Sequence, residues 1–480
     1  MRGFTRKFEP LEILTEEQVE SIHRGTLDIL WQTGIRIEHE RALKLLEKNG
    51  CKVDFERKRV HFPQGLVEES LREVPSSFRV KARDPKNDII VGGNTVYFEA
   101  SQGMQTVDLH TWEPRTATRK ENYDGVTILD ALPNHHWIPW YTPYFGFKGV
   151  SPCMSMPESI ATRLRNSSKV IGSAYSNDSE VFAIEMAKAV GIDLITFCCA
   201  SPPLTYCEDA IEAAYRWVEA GFPIMAGAGG VMGGTYPATI AGATVIGNAE
   251  AIAGIVLFQL IRPGIRVMVY DFTFPQNMKT GSPAFGAIGV SLHQVAFNQI
   301  WRKYGIPTKI DIGYSNSKKI DFQNGYERAI LALNAALSGG SLLQLHGCLS
   351  SELTWHPLVA ILDDDIAGMI GRFIEGIEVN NETLALDLIE EVGPIPGFYL
   401  NKEHTRKWWK KEQFVPKVAD RLTYPEWIKT GKKDCLEYAK ERMEEILSTH
   451  KVLPLTATQE EDVERILEEA RKYYREKGLM

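Results

Sequence analysis

Little in this chain points to the commoner kinds of chemistry. Its cysteines (51, 153, 198, 199, 207, 348 and 435) are odd in number and mostly sit in apolar runs, which argues against a disulfide framework and suits buried thiols in a reducing compartment. No stretch approaches the roughly 18 uninterrupted apolar residues of a membrane span. The first residues, Met-Arg-Gly-Phe-Thr-Arg-Lys, lack the apolar core and small-residue cleavage site of a secretory leader. The expectation is a cytoplasmic protein with no membrane partner. A net charge of −8 and the lack of a basic cluster interleaved with aromatics argue against nucleic acid. The nearest approach, Lys402 to Lys411 with Trp408 and Trp409, reads as an exposed helix face or subunit contact.

Motifs of activation chemistry are also missing. There is no Gly-x-Ser-x-Gly elbow and no Walker loop. The glycine-rich segment 227–239 follows a strand, but the third glycine of a dinucleotide fingerprint would fall at Met232, and no acidic residue ends a strand about twenty positions on. Cys198 and Cys199 are adjacent, hence on opposite faces of a strand, and have no histidine at ligand spacing. His135 and His136 share that defect. No tightly bound metal is expected, and Asp363, Asp364 and Asp365 read as a solvated helix start.

What is present is a rhythm. Seven times between residues 135 and 345 a short apolar or β-branched run is followed by a loop and then an amphipathic helical stretch. The runs are His136–Trp140, Lys169–Gly172, Ile195–Cys199, Pro223–Gly227, Arg266–Asp271, Thr308–Ile312 and Leu342–Leu345. Helical stretches begin at Met156, Ser179, Glu208, Thr239, Gly286, Gln323 and Leu358. An eighth strand, either Asn94–Glu99 or Gln105–Asp108 and followed by a helix from Glu121 to Ala131, closes a (β/α)8 TIM-type barrel. At 480 residues the chain exceeds the roughly 250 of a bare barrel. The reading assigns residues 1–90 to an N-terminal helical extension, 91–385 to the barrel and 386–480 to a C-terminal helical segment. Thr15 with Gln18 forms a capping box near the start. The C-terminal helices, dense in Glu paired with Lys or Arg at four-residue spacing, suit a homo-oligomer contact.

Barrels of this kind place chemistry on the loops after the strands. Those loops are rich in aromatics: Tyr97 and Phe98, then Trp140, Tyr141, Tyr144 and Phe145, and later Tyr270, Phe272, Phe274, Phe285 and Tyr314. Singly, such rings plug a barrel mouth. Together they suggest a box of π faces, which a quaternary ammonium requires because it has no N–H to donate. Gly229 and Gly230 sit where backbone approaches something closely, and the helix from Thr239 to Leu260 carries small residues that let it lie tightly on the barrel. His346, at the carboxyl end of the last strand, should point into the mouth, either donating to a substrate carboxylate or facing the reacting centre. Few other general acids or bases are evident.

At these residues a family resemblance enters. The run Pro237–Gly264, the segment Asp321–Ala329, the stretch Gly347–Trp355 continuing to Asp364–Met369, and Asn94–Asp124 with its Asp108-to-Arg115 spacing resemble the trimethylamine:corrinoid methyltransferase family along nearly the whole chain. The resemblance implies a (β/α)8 barrel that passes a methyl group to a corrinoid (cobalamin) carried by a separate small partner protein. Every position here is an ordinary residue, so the chain is similar to the branch without pyrrolysine, whose members use quaternary amines. It implies glycine betaine as donor, giving dimethylglycine. Proline betaine, carnitine, γ-butyrobetaine or a non-catalytic betaine-binding barrel stand as alternatives. It also implies His346 as the catalytic position, while the loop residues themselves offer Tyr97, Phe98, Trp140, Tyr141, Tyr144, Gly229, Gly230, Phe274 and Tyr314 as substrate-binding candidates.

Overall fold

The computed structural model describes residues 2–480. Eight parallel strands alternate with eight helices: β1 (Thr95–Ala100), α1 (Arg119–Ala131), β2 (Trp137–Ile138), α2 (Ser155–Asn166), β3 (Val170–Ser173), α3 (Ser179–Val190), β4 (Leu194–Cys199), α4 (Glu208–Ala220), β5 (Ile224–Ala228), α5 (Ile240–Ile261), β6 (Val267–Asp271), α6 (Ile288–Lys303), β7 (Thr308–Asp311), α7 (Phe322–Ser338), β8 (Leu342–His346) and α8 (Pro357–Ile374). Pairing runs in sequence order and closes between β8 and β1, with Leu342 opposite Tyr97 and Gln344 opposite Glu99. Of the two candidate first strands, the one starting near Asn94 joins the barrel. Thr106–Val107 instead forms a small hairpin with Pro114–Arg115.

The weakest seam lies between β1 and β2, because β2 has only two residues and touches β1 through one pair, Trp137 with Glu99. The chain's own start covers the rest of that edge: Phe4 and Thr5 run antiparallel to Val96 and Thr95. This needs close approach to α8, where a side chain at Gly371 would put its Cβ 2.2 Å from the Phe4 ring. Lys52–Asp54 pairs with Arg59–His61 as a hairpin, and the expected capping box of Thr15 and Gln18 forms. A second hairpin, Ser77–Val80 with Ile89–Gly92, plugs the amino-terminal end of the barrel. Its Phe78, Val80, Ile89 and Val91 pack on an inward layer of Tyr97, Trp137, Val170, Ile195, Met225, Met268 and Leu342.

Helix α5 is long and apolar enough by composition to cross a membrane, yet most of it is buried in the protein. Its small residues allow this. A Cβ at Gly254 would stand 2.5 Å from the Tyr206 hydroxyl, which donates to the Glu250 carbonyl at 2.9 Å. The reading of Asp363, Asp364 and Asp365 as a solvated helix start is corrected. They lie inside α8 and are buried, each matched to backbone or side-chain donors. Asp363 pairs with the Arg328 guanidinium and accepts from Gly347 N at 2.8 Å. Asp364 accepts from Asn134 N at 2.9 Å, and Asp365 from Val418 N at 2.9 Å. A buried carboxylate persists only where donors replace its water.

Candidate active site

Side chains along a strand alternate in direction, so the residues two positions above the apolar inward layer form the next layer up. That layer holds Glu99, Phe197, Tyr270, Lys309 and Gln344, and above Lys309 comes Asp311. A cavity of about 230 Å³ opens over it, at the carboxyl ends of the strands. Four rings line it: Trp140 and Tyr141 from the loop after β2, Tyr270 from β6, and Tyr314 just past β7. Lys309, Asp311, Gln344 and Glu352 supply its polar surface, and Gln102, Met104 and Leu353 complete the wall. A larger groove of about 990 Å³ runs past Phe8, Met369 and Phe373 outside α7 and α8. Its Arg372 is already paired with Glu412 at 3.1 Å, and it lies away from the strand ends, so the smaller cavity is the stronger candidate.

The floor of the cavity is charged. The Lys309 ammonium stands 3.0 Å from the Glu99 carboxylate and contacts Asp311. Asp311 also accepts from the Tyr270 hydroxyl at 2.7 Å. Burial pushes the Glu99 carboxyl well above the usual carboxylate range, against the opposing pull of Lys309. For Lys309 burial acts to lower the proton affinity, but Asp311 and Glu99 outweigh it and hold the ammonium above its ordinary value. The same ammonium sits 4.2 Å from the Tyr270 ring centre and 5.4 Å from that of Trp140. The expectation of few acid and base groups is therefore corrected. Three ionisable side chains meet inside the barrel, and Glu352 adds a fourth at the rim.

Trp140, Tyr141 and Tyr314 come together at this cavity. Trp140 leans on Phe197, centroids 4.4 Å apart. Tyr314 is backed by Phe285 at 4.9 Å and Phe272 at 5.8 Å. Phe274 packs behind that pair, 4.3 Å from Phe285, and supports the wall without facing the cavity. The other candidates lie elsewhere. Tyr97 belongs to the apolar layer below, its hydroxyl accepting from Ile90 N at 3.1 Å. Phe98 points outward to Phe4. Tyr144 packs on Trp355 and reaches Thr106. Gly229 and Gly230 abut Phe272 and the Tyr236 ring, so their lack of a side chain serves packing.

His346 does not line the cavity. The pairing of β8 with β1 slips between Gln344 and His346, and such an irregularity turns the next side chain to the other face. The ring lies buried against α8, with Nδ1 3.2 Å from the Glu99 carbonyl, Nε2 3.6 Å from Asp364, and His135 edge-on at 5.2 Å. Its Nε2 has no hydrogen-bond partner among the described residues. The loop that follows is set by Gly347, with φ of 104°, where any Cβ would collide with Trp355. The Trp355 indole N–H instead donates to the His346 carbonyl at 3.1 Å. This loop carries Glu352 to the cavity rim.

Lys309, Asp311, Glu99, Gln344 and Glu352 were missed in the sequence. For the strand residues the one trace is polar residues at alternate positions, as in Thr308-Lys-Ile-Asp, too short to read as a pattern.

Comparison with known proteins gives a consistent result. A family model described as trimethylamine methyltransferase (MTTB) matches residues 1–472. The chain is 31% identical over 451 residues to a glycine betaine methyltransferase of Desulfitobacterium hafniense (strain Y51), covering 91% of this chain and 92% of that protein. It is 29% identical to the trimethylamine methyltransferase MttB of Desulfitobacterium hafniense (strain DSM 10664 / DCB-2), covering 96% and 94%. Among solved structures, the Methanosarcina barkeri monomethylamine methyltransferase (MtmB) superposes with a TM-score of 0.56 at 12% identity, covering 98% of this chain and 89% of that one. That likeness concerns the barrel fold.

Proposed function

The chain belongs to the trimethylamine methyltransferase family, and from that premise we propose that it transfers a methyl group from a quaternary amine to the Co(I) of a corrinoid carried by a separate protein. The observation that carries this reading is the ring-lined cavity of about 230 Å³ at the strand ends. It lies below the roughly 300–1,000 Å³ of pockets for drug-sized ligands, so its occupant is compact. Trp140, Tyr141, Tyr270 and Tyr314 offer π faces to a cation that cannot donate a hydrogen bond. Glycine betaine is the donor suggested by the 31% identical relative, and other betaines of similar bulk compete with it.

In the reaction the C–N bond breaks with its electron pair going to nitrogen, which leaves as a neutral tertiary amine. The methyl carbon bonds to cobalt, and Co(I) becomes methyl-Co(III). No proton need reach the nitrogen as it departs. The protein's part is to hold the ammonium against the rings, exclude water and aim one methyl at the open mouth. In this arrangement the role of His346 is structural: its contact with the Glu99 carbonyl ties β8 to the strand carrying Glu99. The test is to mix the full chain with Co(I) cobalamin and a panel of quaternary amines. A shift of the cobalt absorbance to that of methyl-Co(III) with one of them is expected. Binding without any shift would instead mark a non-catalytic betaine-binding barrel.

A further inference from the structure

Glu352 is a carboxylate without a counter-charge. Among the described residues it makes no hydrogen bond and no ion pair, although it is half-buried at the rim of the cavity. Among the described residues Lys309 is the only cationic side chain lining the same space, and its ammonium is committed to Glu99 and Asp311. The cavity and its floor thus set three carboxyl groups against one ammonium. A half-buried carboxylate loses hydration without compensation unless something positive arrives.

Geometry places that positive group. A methyl bound for an acceptor on another molecule must face the mouth, so the ammonium bearing it belongs in the outer part of the cavity. Tyr141, Tyr314 and Glu352 line the cavity together, with the Glu352 carboxylate close enough to act on both phenols. Neither tyrosine hydroxyl has a partner among the described residues, and burial keeps both phenols protonated. Deeper in, the free amide N–H groups of Gln344, whose oxygen accepts from Gly313 N at 3.0 Å, face the rest of the ligand.

We infer that Glu352 is the counter-ion of the donor's ammonium group, fixing it head-outward at the rim and making positive charge, rather than shape, the property the site selects. This rests on the methyltransfer reading above. Glycine betaine and its carbon isostere 3,3-dimethylbutanoate have the same outline and differ in that charge, which makes them the probes.

Calorimetric titration of the full chain and of Glu352→Gln with both compounds tests the assignment, alongside methyl transfer to Co(I) cobalamin. Glycine betaine is expected to bind the native chain and to bind Glu352→Gln on the order of tenfold more weakly. KM should rise, kcat should change little, and the already weak binding of the isostere should not worsen. Glu352→Asp should recover part of the loss. Because Glu352 has no partner among the described residues and its hydration loss is uncompensated, the thermal midpoint of Glu352→Gln should equal or exceed the native one. Unchanged glycine betaine affinity in Glu352→Gln, or equal binding of the two probes to the native chain, would overturn the counter-ion role while leaving the transfer reaction standing. If neither glycine betaine nor any other quaternary amine bound or methylated cobalt, the functional reading would fall as well.

Discussion

The Lys309 ammonium lies 3.0 Å from the Glu99 carboxylate, on opposite sides of the closing seam formed by β8, and neither side chain reaches bulk water. With Asp311 against the same ammonium, the pair joins β1 to β7 across the barrel beneath the candidate site. Removing one member of a buried ion pair strands the other, at a cost of about 3–5 kcal/mol. Lys309→Met should therefore lower unfolding free energy by about that much in denaturant titrations, since Glu99 and Asp311 lose their cation together. Adding Glu99→Gln to Lys309→Met should recover part of the loss. A Lys309→Met chain as stable as the native one would show that the pair contributes nothing net.

The ring wall makes a second prediction. Tyr314 is held by Phe285 and Phe272, so its face toward the cavity is fixed before any ligand arrives. Replacing the ring with an aliphatic side chain removes a cation–π contact of about 0.5–2 kcal/mol. Tyr314→Leu should raise KM for the quaternary amine by roughly 2- to 30-fold, whereas Tyr314→Phe should retain most of the affinity. Equal KM in both variants would show that the ring face is not used.

The strand and helix rhythm was legible because each strand is a short apolar run ended by a loop, and the helices carried caps that the structure forms, as at Thr15 and Thr239. The first strand was half-legible: two candidate runs existed, and only long-range pairing with Leu342 chose between them. The site was less legible. Trp140, Tyr141 and Tyr314 announced themselves as rings after strands. Lys309 and Asp311 did not, because a two-residue alternation inside so short a strand is indistinguishable from scatter. His346 was misplaced for a related reason: a single slip in pairing reverses a side chain's direction, and no residue type signals it. Asp363 to Asp365 look solvated in a string, and only Arg328, Asn134 and the backbone near Val418, all remote in sequence, explain their burial.

His346 supplies a third prediction. Its ring fills space between β8 and α8 and steadies the Glu99 carbonyl, while its Nε2 is unpartnered. His346→Ala leaves a cavity and should cost about 2–4 kcal/mol in stability. Assayed below its lowered melting temperature, the folded variant should keep the native pH profile of methyl transfer, with KM altered by less than about threefold, a change of under 1 kcal/mol. Loss of transfer in a chain that still binds the amine with native affinity would return His346 to the reacting centre.

Glu250 yields the last prediction, away from the site. It is buried within α5, accepts from Leu204 N at 2.7 Å and from the Tyr236 hydroxyl, and has no ion-pair partner among the described residues. Burial raises its carboxyl from 4.5 to about 7, with the Tyr236 and Leu204 hydrogen bonds pulling the other way. Below pH 4.5 the group is neutral in both folded and unfolded chains and costs nothing. As pH rises toward 7 the unfolded chain sheds this proton while the folded chain keeps it, so the contribution to stability is lost across that interval and stays lost above it. At about 1.4 kcal/mol per tenfold change in proton affinity, the loss is about 3 kcal/mol. Glu250→Gln has no proton to shed, so the difference in unfolding free energy, native minus variant, should fall by about that amount between pH 4.5 and 7.5. Parallel stability curves for the two chains across that interval would mean that Glu250 ionises in the folded protein as readily as in the unfolded one, and that Tyr236 and Leu204 fully replace the water it gives up.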